Sequence, residues 1–224
     1  IDGTLVSFKT HVVPKSTLHA LELLKKKGIK VFIATGRHRS SINNLGDLEF
    51  DGYVTLNGGY VFAGKDDVIY KHSIPDKDIE ALVRYQNQEG EFPCAFVQEN
   101  EIFMNYTDKA VNDVFHLLNF PAPPIRPIED IYGKTVYQLI AFFTAEQEKR
   151  IMKVLSHCES TRWNALFTDV VPHGSSKRVG IDKMLEHFHI GLDECMAFGD
   201  GGNDIQMLSH VGIGVAMGNA SEEV

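Results

Sequence analysis

The feature that most constrains this chain is a short apolar run, residues 29–34, with lysine only at Lys30 and Thr35-Gly36-Arg37 directly after it. A run of that length without polar alternation suits a strand buried on both faces, as in a parallel sheet covered by helices. The surrounding pattern agrees. Upstream, Ser16 is placed to cap a helix carrying Leu18, Leu21 and Leu24 on one face and ending at Gly28. Downstream come a polar, helix-like stretch over 40–48, a strand over 53–56, and a hairpin of 60–63 with 68–72. A second buried run, 195–198, leads into Gly199-Asp200-Gly201-Gly202-Asn203-Asp204, then a helix over 203–209 and a strand over 212–216. Ser175 or Ser176 opens a helix bearing Val179, Met184, Leu185 and Phe188. This alternation predicts an α/β, Rossmann-like doubly wound core.

Between these halves the texture changes. From Pro75 a helix with Ile79, Leu82, Val83 and Gln86 on one face runs to Gly90, and a hairpin pairs 94–97 with 102–106. A helix over 108–118, a proline-rich connector, a strand over 136–143, a helix over 145–155 and a strand-like stretch over 162–170 follow. Two helix-plus-strands units in series predict an antiparallel α+β module inserted into the core. The expected boundaries are 1–74 and 168–224 for the core and 75–167 for the insert.

The formal net charge of -8 argues against a nucleic-acid or anionic-membrane surface, since both need clustered Lys and Arg. An anionic substrate then needs local positive charge from a metal or a placed lysine. Cys94, Cys158 and Cys195 are far apart and odd in number, which suits a reduced, cytoplasmic protein. No apolar run is long enough to span a membrane, and no secretory leader is recognisable. His187 and His189, two apart on a helix, point to different faces and do not make a metal pair.

Open α/β sheets bind ligands at the carboxyl ends of their strands, which singles out four places. These are Asp2-Gly3-Thr4-Leu5 at the chain start, Thr35-Gly36-Arg37, Lys177 at a helix start, and the run from Asp200 to Asp204. Two carboxylates four apart among glycines offer the hard oxygen ligands that Mg2+ takes, and Asn203 is placed to cap the helix or face a ligand.

Taken together and in order, the four places resemble the four motifs of the haloacid dehalogenase superfamily. The insert is similar to the type IIB cap of its Cof-like sugar phosphatases, and Asn57-Gly58-Gly59 resembles a turn common in that branch. The resemblance implies a Mg2+-dependent phosphomonoester hydrolase acting on small phosphorylated metabolites, sugar (hexose) phosphates above all, through an aspartyl-phosphate. It assigns Asp2 as general acid and base, and Lys177 as the lysine that offsets the carboxylates. Thr35, Gly36, Arg37, Asn57 and Asn203 go to the phosphate and substrate, and the Asp2 carbonyl, Asp200 and Asp204 to the metal. Three alternatives stand beside it: a phosphosugar mutase, a pump phosphorylation domain (disfavoured by Asp2), and a non-catalytic phosphosugar-binding protein. Around Arg162, Trp163 and Asn164 the insert is expected to select the substrate. The particular sugar and the oligomeric state stay open.

The attacking aspartate of the first motif belongs two residues before Asp2, and the sequence begins at Ile1. It is therefore expected to be trimmed at both ends from a longer protein. A sheet without the strand that carries this aspartate is expected to show an apolar slot and to fold poorly on its own.

Overall fold

The structure, a computed structural model, describes residues 1–7, 9–10, 12–43, 45–117 (of Leu117 the backbone only), 121–162 and 165–224. Trp163 and Asn164 lie outside the described residues. The chain divides into two compact units, Ile1–Lys71 with Ser175–Val224, and His72–Gly174.

In the first unit, α1 (Lys15–Lys26) precedes β1 (Phe32–Ala34), and β2 (Gly52–Thr55) runs parallel to β1. A hairpin of β3 (Tyr60–Ala63) and β4 (Asp67–Lys71) adds two antiparallel strands. The helix α5 (Lys177–Phe188) lies over this sheet, and β10 (Met196–Gly199), α6 (Ile205–Leu208) and β11 (Ile213–Ala216) follow, with β10 and β11 parallel. One apolar cluster joins the parts: Ile181, Met184 and Leu185 of α5 pack with Val54 and Val61 of the sheet, Ala197 of β10, Met207 of α6 and Val211 just after it. Among the described residues β10 pairs only with β11, and Met196, Phe198 and Ile213 stay half exposed.

The second unit carries α2 (Asp76–Glu89), β5 (Cys94–Val97), β6 (Ile102–Met104), α3 (Lys109–Leu117), β7 (Gln138–Ala141), α4 (Ala145–Val154), β8 (Cys158–Thr161) and β9 (Thr168–Pro172). Its strands form an antiparallel sheet in the order β6-β5-β7-β9-β8. The strand period of two sorts its side chains. Cys94 and Phe96 of β5 turn to the cluster with Ile79, Leu82 and Val83 of α2 and Ile151 of α4. Ala95 turns to the cluster with Val111 and Phe115 of α3. A capping box between Thr144 and Gln147 starts α4, and buried Asp78 in the first turn of α2 accepts hydrogen bonds from the backbone and ring nitrogens of His157.

The structure corrects several sequence expectations. Pro14, not Ser16, stands at the start of α1, and no side chain caps it. Among the described residues the stretch 40–48 holds only a short 3-10 turn, Arg39–Ser41, and Gly46 adopts φ +60°, where a helix does not continue. The strand-like stretch 162–170 gives way to two strands, Cys158–Thr161 and Thr168–Pro172. In β8 only Cys158 is buried, so no hydropathy pattern marked it. Residues 202–204 form a 3-10 turn before α6 rather than a helix.

The turn after β2 fixes where α5 begins. Leu56 and Asn57 both take left-handed backbone angles, and Gly58 follows at φ +94°. A Cβ on Gly58 would stand 2.0 Å from the Ser176 carbonyl oxygen, and one on Gly180 would stand 2.3 Å from Val54. Gly58→Ala is therefore expected to cost about 3 kcal/mol or more, from backbone overlap plus strain. Gly64, at φ +52° with open space around it, is the control; its alanine variant carries the strain alone, about 1–2 kcal/mol. Urea unfolding of the two variants checks the ordering.

Candidate active site

The sites picked out in the sequence meet in the first unit. Lys177 is the first residue of α5, positioned by Ser176, whose hydroxyl accepts from the Val179 N–H at 3.3 Å. The lysine is 6% exposed and its Nζ donates to Asp204 Oδ1 at 2.6 Å. The other Asp204 oxygen accepts the N–H groups of Asp200 and Gly201, each at 3.0 Å. Both oxygens of Asp204 are thereby engaged, and the carboxylate holds the loop after β10 in its turn. Gly199 is required beneath it, since a Cβ there would lie 2.6 Å from that of Asp204. Burial alone would raise the Asp204 pKa; the Lys177 charge and hydrogen bond and the two backbone N–H groups outweigh it and hold the carboxyl below its ordinary value.

Asp200 faces the other way. Its Oδ1 accepts the Thr4 hydroxyl, and its Oδ2 accepts Asn219 Nδ2 at 3.0 Å. Asp2 is gripped by Arg37, whose Nε donates to Oδ2 at 2.8 Å and whose Nη2 donates to Oδ1, a two-pronged pair. The third nitrogen, Nη1, donates to the Ser41 carbonyl at 2.8 Å. Buried Thr35 accepts the Arg37 N–H on its hydroxyl at 3.1 Å.

Asn203 does not cap a helix: its Nδ2 donates to Asn57 Oδ1 at 3.0 Å, and Gly201 stands at the start of the 3-10 turn. Asn57 packs flat on Gly36, where a Cβ would stand 3.1 Å from its amide. Thr4 and Asn219 were not assigned roles from the sequence. Thr4 was in view within Asp-Gly-Thr-Leu, whereas Asn219, in Met-Gly-Asn after the last strand, had no spacing to mark it.

Among the described residues no three His, Cys, Asp or Glu side chains form a metal cage. Asp200 offers a carboxylate with the Thr4 hydroxyl on one oxygen and the Asn219 amide nitrogen on the other, and the carboxylate and hydroxyl are hard oxygen groups. Mg2+ needs only one or two carboxylates and keeps several waters, so this set fits it. Among the described residues no helix is long and apolar enough to cross a membrane.

Residues 1–224 match the family model of haloacid dehalogenase-like hydrolases. The protein named putative phosphatase YkrA of Bacillus subtilis (strain 168) is 34% identical over 227 residues, covering 100% of this chain and 86% of that protein. Among solved structures, the subclass IIB sugar phosphatase BT4131 superposes with a TM-score of 0.91 at 45% identity, over 100% of this chain and 87% of its own. The phosphatase BT1666 from Bacteroides thetaiotaomicron gives 0.87 at 38%, over 99% and 84%.

The buried pair sets a stability prediction. Asp204→Ala strands Lys177 as an uncompensated buried charge and is expected to cost about 3–5 kcal/mol in urea unfolding. The Asp204 pKa is lowered on folding, so its contribution is present above the unfolded value and lost as pH falls through the folded one. Wild-type stability should therefore drop as pH falls below 3.8, and the part of that drop due to Asp204 should be missing in Asp204→Ala.

Proposed function

The chain belongs to the haloacid dehalogenase-like hydrolases and is a phosphatase, and from that premise we propose that it is a Mg2+-dependent phosphomonoesterase of small sugar phosphates. The observation that carries this reading is the joining of Lys177, Asp204, Asp200 and Asn203 with Asn57 and Gly36 in one unit, beside the pair of Asp2 and Arg37. The sugar preference is supported by the 45% identity to a sugar phosphatase. The unit His72–Gly174 takes the role of the cap that selects the substrate. Free Cys94, Cys158 and Cys195 suit a reducing, cytoplasmic setting.

In the proposed reaction, the carboxylate of the aspartate that the first motif places just before Ile1 attacks phosphorus. The P–O ester bond breaks, and Asp2 gives its proton to the leaving sugar oxygen. Asp2 then takes a proton from water, whose oxygen attacks the aspartyl-phosphate, releasing phosphate and restoring the aspartate. The Thr35 hydroxyl, the Gly36 N–H, Asn203 and the Lys177 ammonium hold the phosphoryl oxygens. In the resting site Arg37 occupies both oxygens of Asp2, so Asp2 reaches the ester only by giving up at least one of these bonds. Asp200 and the Asp2 carbonyl, with Asp204 in support, would hold Mg2+, which would supply charge relief between anionic carboxylate and anionic ester.

The test is phosphate release by the full-length protein from hexose and pentose phosphates, with Mg2+ and with a chelator. Release is expected to require Mg2+, to favour hexose phosphates, and to fall about 10²–10⁴-fold in Asp2→Asn. Metal-independent release, or phosphate passed to a sugar acceptor without appearing in solution, would overturn the reading.

A further inference from the structure

Asn57 sits in the site in a way that phosphate binding does not explain. It is buried and polar, at φ 52° and ψ 32°, a left-handed conformation that non-glycine residues seldom adopt. The turn around it has no room to relax, because Gly58 lies against the Ser176 carbonyl. Its amide therefore has a fixed place, and what it touches is other loops. One face rests on Gly36, 3.1 Å from where a Cβ would be. Its Oδ1 accepts Asn203 Nδ2 at 3.0 Å. Asn203 in turn sets its own Oδ1 against Gly201, 2.8 Å from a Cβ built there. Three loops, following β1, β2 and β10, are thus strapped by two side-chain amides.

We propose that Asn57 is a positioning residue that acts through Asn203: by accepting one N–H of the Asn203 amide it fixes that amide's orientation, leaving the second N–H of the same nitrogen to meet the phosphoryl group. The inference rests on the phosphatase reading for its ligand and gives Asn57 a role apart from direct phosphate contact. A carboxamide free to rotate presents oxygen to an anionic phosphate as readily as N–H, and oxygen repels it. Anchoring removes that choice before substrate arrives, which is the preorganisation on which electrostatic catalysis depends.

Glycine accepts the same backbone angles, so Asn57→Gly removes the amide while keeping the turn. In the full-length protein, Asn57→Gly and Asn203→Ala are each expected to lower kcat/KM about 10–100-fold, with the double variant no worse than the weaker single one. The unfolding midpoint of Asn57→Gly should stay near that of wild type. Calorimetry with inorganic phosphate supplies a second readout, with binding about tenfold weaker in Asn57→Gly. Wild-type kinetics in Asn57→Gly, or losses that multiply in the double variant, would overturn the proposal. A wild type that binds phosphate without releasing any from esters sinks the hydrolase reading, and the binding ratio then decides this one. Should Asn57→Gly fail to fold, Asn57→Asp keeps the acceptor. Its kcat is expected within about threefold of wild type with a raised KM, because the added charge repels the ester. A kcat as low as that of Asn203→Ala contradicts the role.

Discussion

The ion pair between Lys177 and Asp204 is the constraint on which the rest of the site depends. Both groups are nearly out of water, and burying two charges is unfavourable unless each is fully partnered. Asp204 meets that condition by taking Lys177 on one oxygen and two backbone N–H groups on the other. The geometry follows. With Asp204 committed to the loop, Asp200 turns the other way and offers its carboxylate beside Thr4 and Asn219. Lys177 is available at that point only because α5 starts there, and its start is set by the contact of Gly58 with the Ser176 carbonyl. A left-handed turn after β2 thus governs the charge distribution of a loop after β10.

The same logic separates what was legible in the sequence from what was not. The buried strands showed themselves through short apolar runs, and β1, β2 and β10 lie within or beside the stretches that those runs marked. The inserted helix α2 followed from apolar spacing on one face. What failed did so where structure is held by contacts rather than by periodicity. β8 is paired along its whole length with β9, and that pairing left no trace in its hydropathy. The 40–48 stretch carries helix-compatible polarity, yet its described residues hold only the 3-10 turn Arg39–Ser41, and Gly46 stands at positive φ.

For the site, residue types marked the acidic run from Asp200 to Asp204 most clearly, whereas Asp2, Thr35 and Lys177 took their roles from the ordered resemblance to the four haloacid dehalogenase motifs. The pairings were not legible. Arg37 was nominated for the substrate, yet in the structure it engages both oxygens of Asp2. Asn203 was expected to cap a helix or face a ligand; it caps none, and it bridges to Asn57, a contact across 146 positions that no local pattern encodes. Asn219 came from the chain end with no motif at all. Each of these is a side-chain hydrogen bond between distant loops, the kind of information that appears only once the sheet has brought the strand ends together.

The most direct measurement is a crystal structure of the full-length protein with Mg2+ and inorganic phosphate. The ion should lie on Asp200 and the Asp2 carbonyl with oxygens at about 2.0–2.1 Å. Lys177 should still be paired with Asp204, and the phosphate should be held among Thr35, Gly36, Asn203 and Lys177. A metal bound elsewhere, or a phosphate held with the pair of Lys177 and Asp204 broken, would contradict the central claim that this buried pair organises one phosphoryl-transfer site.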